Sequence, residues 1–254
     1  MTNKERKKYI INRCYSAQYA KLPEAFKQIN ILRYPGLWIS ILANSELYNI
    51  QNLTPDCTDV LLNTKGGYNA NYENLEYTLQ VFYELNYFME KLRFIGDDVF
   101  AYPDFIKAVK LMLRLPKIRR IDIVCSGDTI PEGEQIDVLR NPGMTAVIDS
   151  KSPVAAELEQ LFTEREVNFE VREIGEECTY RKNTHTIFVE GKIFRCPITA
   201  REYADGTQVE EKSYVDIVAR KLEIKQLRLA IFDITNDPPP AECKSCAKCK
   251  NRIR

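Results

Sequence analysis

The sequence is short of histidine, of net charge and of long apolar runs, and each shortage removes a class of function. It has one histidine, His185, in 254 residues. A histidine-based hydrolytic metal centre needs two or three imidazoles and is excluded. A Ser–His–Asp triad could draw only on His185, and no G-x-S-x-G nucleophile elbow supports one. Lysine plus arginine balance aspartate plus glutamate at 36 each. A general nucleic-acid binder carries a basic excess to neutralise phosphates, so nucleic acid is not an expected partner. No apolar run reaches the ~18–20 residues that cross a bilayer, so no membrane segment is expected. The basic stretch Met1–Lys8 has no apolar region behind it. That argues against a secretory signal and makes the cytoplasm the expected compartment.

What the chain has is a folded composition and eight cysteines. Hydrophobic residues make up 44% and aromatics 10%, too many for a disordered chain. The length suits one large domain or two small ones. The cysteines are Cys14, Cys57, Cys125, Cys178, Cys196, Cys243, Cys246 and Cys249. In a reducing compartment they are poor candidates for disulfides. The run C-x2-C-x2-C at Cys243–Cys249 instead points to a metal or an iron–sulfur cluster.

Periodicity divides the chain into three zones. Residues 1–46 read as a helical N-terminal extension, punctuated by Pro23 and Pro35-Gly36, with a tyrosine-rich face suited to packing. Residues 47–173 alternate strand and helix signals. Strands are expected at Leu47–Leu53, Arg120–Cys125, Met144–Ile148 and Val167–Val171, with a short apolar run at Arg93–Ile95. Helices are expected at Tyr72–Leu92, Tyr102–Leu113, Pro131–Leu139 and Pro153–Phe162, the last with Ser152 as N-cap. This alternation predicts an α/β fold of parallel βαβ units, with ligand sites at the carboxyl ends of the strands. Residues 174–254 read as a small cysteine-rich unit of β-hairpin and helices. Thr184–Val189 and Lys192–Arg195 form strands around a tight turn at Glu190-Gly191, and helical runs follow near Tyr214–Leu222 and Ile224–Phe232.

The third zone carries the most specific pattern: Cys178-x12-Gly191-x4-Cys196, then a distant Cys243-x2-Cys246. A hairpin turning at Gly191 brings its flanking arms together, so Cys178 and Cys196 converge, and the C-x2-C pair adds two thiolates. Four converging thiolates need a cation to offset their repulsion. Spacing alone leaves both a 4Fe–4S cluster and an all-thiolate structural zinc open, and Cys249 is an alternative fourth ligand.

The G-x4-C spacing and the phrase GKIFRCP at Gly191–Pro197 resemble the SPASM/Twitch auxiliary-cluster domains of radical S-adenosylmethionine enzymes. The likeness extends upstream. LRFIGDDVFAYPDF at Leu92–Phe105 resembles the family's second-strand segment, where a GGEP motif contacts the S-adenosylmethionine amino group. RIDIVCSG at Arg120–Gly127 resembles its third strand, and Ile148-Asp149-Ser150 sits where the fourth strand ends. The resemblance implies a partial (β/α) barrel of the radical S-adenosylmethionine type and one auxiliary 4Fe–4S cluster on Cys178, Cys196, Cys243 and Cys246.

The departures are chemical. The family's primary cluster needs C-x3-C-x2-C, and here the matching positions are Cys57, Leu61 and Thr64. Leucine has no donor atom for iron. The GGEP segment reads Gly96-Asp97-Asp98-Val99, in which Asp98 could accept a hydrogen bond from an ammonium. Cys57, Gly96 and Asp98 are therefore what remains of an S-adenosylmethionine site. The resemblance implies an iron–sulfur protein unable to cleave S-adenosylmethionine, acting as partner, scaffold or electron relay for another enzyme. An active enzyme working on a peptide or sugar, and a zinc-stapled binding protein, are the alternatives. Other residues have plainer expectations. Cys125 is read as a small core residue and His185 as structural. Asp97-Asp98 is read as a solvated turn rather than an acid/base couple, and Lys65-Gly66-Gly67 as a loop rather than an anion pocket. The basic residues Lys244, Lys248, Lys250, Arg252 and Arg254 would offset an anionic cluster or meet an acidic partner.

Overall fold

The structure, a computed structural model, describes residues 57–85, 89–115, 118–174 and 185–218, together with 226–227, 230–231 and 233–234. The expected strand at Leu47–Leu53, the helical zone 1–46 and four of the five C-terminal cysteines (Cys178, Cys243, Cys246 and Cys249) lie outside these residues.

Among the described residues eight strands form one sheet: β1 (Cys57–Leu61), β2 (Met89–Ile95), β3 (Ile118–Cys125), β4 (Met144–Asp149), β5 (Phe169–Arg172), β6 (His185–Val189), β7 (Lys192–Phe194) and β8 (Tyr214–Asp216). Their order is β5-β4-β3-β2-β1-β6-β7-β8. Strands β1 to β6 pair in parallel, and β7 and β8 add antiparallel. The α/β architecture expected from the sequence is therefore present, as an open, mostly parallel sheet. No helix among the described residues is long and apolar enough to cross a membrane.

Steady progression from β1 to β5 with right-handed crossovers puts the connecting helices on one face, as an incomplete barrel requires. Helices α1 (Tyr72–Leu85), α2 (Phe105–Leu113), α3 (Glu134–Leu139) and α4 (Ala155–Glu164) all do so. Their apolar residues, Leu75, Leu79 and Phe82 in α1 and Leu158 and Phe162 in α4 among them, share one core with Val60, Leu92, Phe94, Ile123 and Ile148 of the sheet. Cys125 packs in that core as expected, its thiol pushed up by burial.

The hairpin expected to open a separate C-terminal unit is hydrogen-bonded into this sheet, because β6 lies directly beside β1. Its turn has the predicted chemistry. Glu190 and Gly191 both have positive φ, 48° and 78°, which suits a two-residue hairpin turn. Helix α5 (Pro197–Ala204) follows the hairpin and packs on the opposite face, through Ala200 against Leu61, Ile187, Val189 and Phe194.

Two expected elements differ. The helix predicted over Tyr72–Leu92 stops at Leu85, and Met89–Ile95 is strand β2. There Leu92 and Phe94 enter the helix-side core while Arg93 pairs with Asp59 on the other face, a period of two. The helix predicted from Tyr214 begins instead as strand β8, held by the cross-strand pairs Lys192–Asp216 and Phe194–Tyr214. Helical residues do occur at 226–227, 230–231 and 233–234, and Leu227 and Ile231 join the main core. Ser152 is not the N-cap of α4, which is Val154. The Ser152 hydroxyl instead donates to the Gly127 carbonyl at 2.9 Å.

Candidate functional site

The face of the sheet away from α1–α4 is arranged in layers across the strands. One cross-strand row is charged: Asp59 of β1, Arg93 of β2, Asp122 of β3 and Thr145 of β4 stand side by side. Arg93 Nε and Nη2 donate to the two Asp59 oxygens at 2.6 and 2.7 Å. Burial would lower the Arg93 pKa, but the Asp59 carboxylate holds it above the usual value. Asp122 is fully buried, with Arg120 Nε donating to Oδ1 and the Lys91 ammonium 3.6 Å from Oδ2. Both carboxylates face cations, and Asp122 Oδ2 is buried with no hydrogen-bond partner, the Lys91 ammonium being its nearest charge. One step toward the carboxyl ends the face becomes apolar, with Leu61 beside Ile95 and Val124 beside Val147.

Above that apolar layer lies the mouth, built from the loops after β1, β2, β3 and β4. Short polar side chains at the strand ends tie these loops together. Asn63 donates its amide to the Asp98 carbonyl and accepts the Asp98 N–H at 3.2 Å. The Ser126 hydroxyl donates to the Gly96 carbonyl at 2.9 Å. Asp98 is the hub. Its Oδ2 accepts the Asp128 N–H at 3.2 Å, the Thr129 N–H at 3.0 Å and the Thr129 hydroxyl at 2.7 Å. Its Oδ1 accepts the Ala101 N–H at 3.4 Å, capping the 3-10 turn Val99–Ala101. Three of these four bonds fall on Oδ2 and one, the longest, on Oδ1, so Oδ2 is the oxygen committed to the chain. The Asp98 carboxylate, read in the sequence as facing a ligand ammonium, bonds here to the chain's own β3–α3 loop. Gly127 makes this possible: a Cβ there would lie 2.7 Å from the Asp98 Cα.

Asp97 is not the solvated turn the sequence suggested. It is half-buried, and its Oδ2 accepts the Lys65 N–H at 2.6 Å while Oδ1 accepts Arg201 Nη1 of α5 at 2.8 Å. Burial would raise its carboxyl, but the Lys65 N–H and the Arg201 guanidinium outweigh that and hold it below the usual carboxylate range. On the other side of the same loop the Thr64 hydroxyl donates to Asp205, the C-cap of α5, and Gly66 packs against that carboxylate. The Lys65-Gly66-Gly67 turn is therefore clasped by two carboxylates of this chain.

Cys57 is not brought to Gly96 and Asp98. It opens β1, whereas Gly96 follows β2, whose last residue Ile95 pairs with Leu61 at the other end of β1. Four residues of strand separate the two levels, roughly 13 Å at ~3.3 Å per residue. The loop that does face Gly96, Leu62–Asn71, contains no cysteine. Cys57 donates instead to Asp59 Oδ1 at 3.7 Å, and burial together with the Asp59 charge pushes its thiol up to about 12. Its place at the far end of the strand separates it from Gly96 and from the loop after β1. Cys196, of the candidate thiolate set, is free, half-buried, and occupies the N-cap of α5. Among the described residues no three His, Cys, Asp or Glu side chains cluster as a metal site would need, and Cys196 is the one member of the candidate thiolate set that they include.

Sequence reasoning passed over Asn63, Ser126, Thr129, Arg201 and Asp205. Asn63 and Ser126 had a signal, being short polar residues immediately after apolar strand runs. Arg201 and Asp205 had none, because their partners are 104 and 141 residues away.

No family model matches the sequence, and no curated protein matches it. Among solved structures, SuiB of Streptococcus suis bound to S-adenosylmethionine is similar over 55% of this chain at 11% identity, with a TM-score of 0.41. A second SuiB structure is similar over 90% of this chain at 11% identity and a TM-score of 0.42. The chain spans 38% and 56% of those two SuiB chains. BtrN in an open conformation is similar over 78% of this chain and 92% of its own, at 12% identity and a TM-score of 0.47.

Proposed function

We propose that this chain is a radical S-adenosylmethionine-type protein that has lost its primary cluster and keeps an auxiliary thiolate site. Its role is that of a partner, scaffold or electron relay for another enzyme. The observation that carries this reading is at the mouth. The loop after β1 has no sulfur, Cys57 stands at the opposite end of the strand, and Asp98 Oδ2 is bonded by its own chain. The ligands of the retained site are Cys178, Cys196, Cys243 and Cys246, with Cys249 as the alternative fourth. A four-iron cluster bound there would supply one-electron transfer. The thiolates suit a reducing, cytoplasmic setting.

Anaerobic purification with iron and zinc counts and a visible spectrum tests the reading. About four irons with a brown colour support it. About eight irons, or formation of 5′-deoxyadenosine from S-adenosylmethionine, would show an active enzyme instead. A colourless protein with one zinc would leave a structural staple. Cys196→Ala removes the metal in each case, so metal surviving that change refutes the ligand set.

A further inference from the structure

Strand β5 is one rim of the sheet, and its ladder to β4 uses only half of its backbone. The Asn168 carbonyl accepts the Ala146 N–H at 2.9 Å, and the Arg172 carbonyl accepts the Ser150 N–H at 3.0 Å. Backbone groups of successive strand residues point to alternate sides, so Asn168, Glu170 and Arg172 turn theirs to β4. Phe169 and Val171 turn their N–H and C=O groups to the open side, where the described residues supply no further strand. Side chains alternate across the sheet in the same way. Phe169 packs toward the helix-side core, and Val171, on the same face, is 41% exposed. Arg172 and Glu170 stand on the other face, their side chains 43% and 40% exposed and 3.7 Å apart. Proteins commonly guard a rim with proline or lysine. The run Phe-Glu-Val-Arg of β5 has neither, and its two charges are of opposite sign.

We propose that β5 pairs antiparallel with β5 of a second copy of this chain, about a two-fold axis through Val171. The order of charges selects both the occupant and the register. With the axis at Val171, Glu170 lies opposite the copy's Arg172, and Arg172 lies opposite the copy's Glu170. Unlike charges therefore meet on both sides of the axis, as a self-complementary seam requires. Registers centred on Glu170 or on Arg172 set like charges face to face. In the favoured register Val171 meets its counterpart on the helix face. The two valines exchange the pair of backbone bonds that each strand leaves open, and Phe169 does the same with the copy's Glu173. The sheet then runs unbroken through both chains. A seam of one strand is small, so the dimer is weak and forms as concentration rises.

Sedimentation equilibrium and amide exchange by mass spectrometry, on the full chain at concentrations up to about 0.5 mM, test the pairing. The wild-type mass should climb toward twice that of one chain. Exchange in the 168–174 peptide should slow several-fold over the same range, with the 118–125 peptide unchanged. Val171→Pro removes an N–H that β4 does not use, so the strand should keep its place and the dimer should be lost. Arg172→Glu alone and Glu170→Arg alone each set like charges across the seam and should stay monomeric. An equimolar mixture of those two restores unlike pairs and should regain the doubled mass, and it serves as the test if Val171→Pro does not fold. Wild-type protein that is monomeric throughout overturns the proposal. A dimer that persists in Arg172→Glu overturns it as well, and so does a mixture that stays monomeric while both variants are folded by circular dichroism.

Discussion

Replacing Asp98 with alanine separates an anchor from a ligand-binding group. The wild-type carboxylate accepts three bonds from Asp128 and Thr129 and a longer one from Ala101. A hydrogen bond to a charged group contributes about 1.5–3 kcal/mol when its loss leaves a buried partner unpaired. Here Asp128 is exposed and Thr129 half-buried, so water re-satisfies much of what is lost. The expected net cost is therefore about 2–3 kcal/mol rather than the sum of the bonds. With a urea slope of about 2–3 kcal/mol per molar, the unfolding midpoint should fall by about 1 M. Thr129→Val removes only the 2.7 Å bond and should cost about 1 kcal/mol. A carboxylate kept for an incoming ammonium would behave in the opposite way, its removal leaving stability unchanged or improved. A loss below about 0.5 kcal/mol, the range of ordinary surface changes, would refute the anchor assignment.

Gly127→Ala should destabilise by about 1–3 kcal/mol, as overpacking does, because the added methyl meets the Asp98 backbone; thermal unfolding measures it. Asp59→Asn leaves the half-buried Arg93 without its bidentate carboxylate and should cost about 2 kcal/mol, below the fully buried range, and a Leu/Met double replacement of Asp59 and Arg93 should recover much of it by urea titration. Cys57→Ala should leave the metal content of purified protein unchanged by elemental analysis, since Cys57 is not among the proposed ligands and its thiol donates to Asp59. Asp97 has a depressed folded pKa, so its contribution is present above the unfolded value, about 3.9, and is lost as pH falls through the folded one. Urea midpoints measured from pH 5 down to pH 2.5 should thus fall more steeply for wild type than for Asp97→Asn, and parallel profiles would count against the Asp97 contacts.

The parts of the fold legible in the sequence were those governed by neighbours along the chain. The alternation in Arg120–Cys125 and Met144–Ile148 gave strands within two residues of β3 and β4, and the Glu190-Gly191 turn formed where its residues require it. Strand β2 was read partly as helix because Tyr72–Phe82 sets a strong helical period and the switch to period two falls within the same polar-apolar run. Strand β8 was missed because Tyr214–Asp216 becomes strand only through Lys192 and Phe194, partners fixed by the hairpin. At the candidate site, the bonds of Asp98 were not legible, since its partners come from a loop 30 and 31 residues further on. Cys57 was placed at the mouth by motif spacing alone; strand register, which spacing does not encode, puts it at the base.

The position of β6 beside β1 also has a consequence for how the chain comes together. Thr58 and Thr186 meet across those strands although 128 residues separate them. At about 5–20 residues per second, a ribosome needs roughly 6–25 s to deliver the second after the first. Throughout that interval β1 offers an unpaired edge and a bare hydrophobic flank, with Phe82 still lacking the Phe188 ring it meets at 4.7 Å. The nascent molecule is therefore most vulnerable to aggregation at its central strand, and chaperone protection there would matter more than at either rim of the sheet.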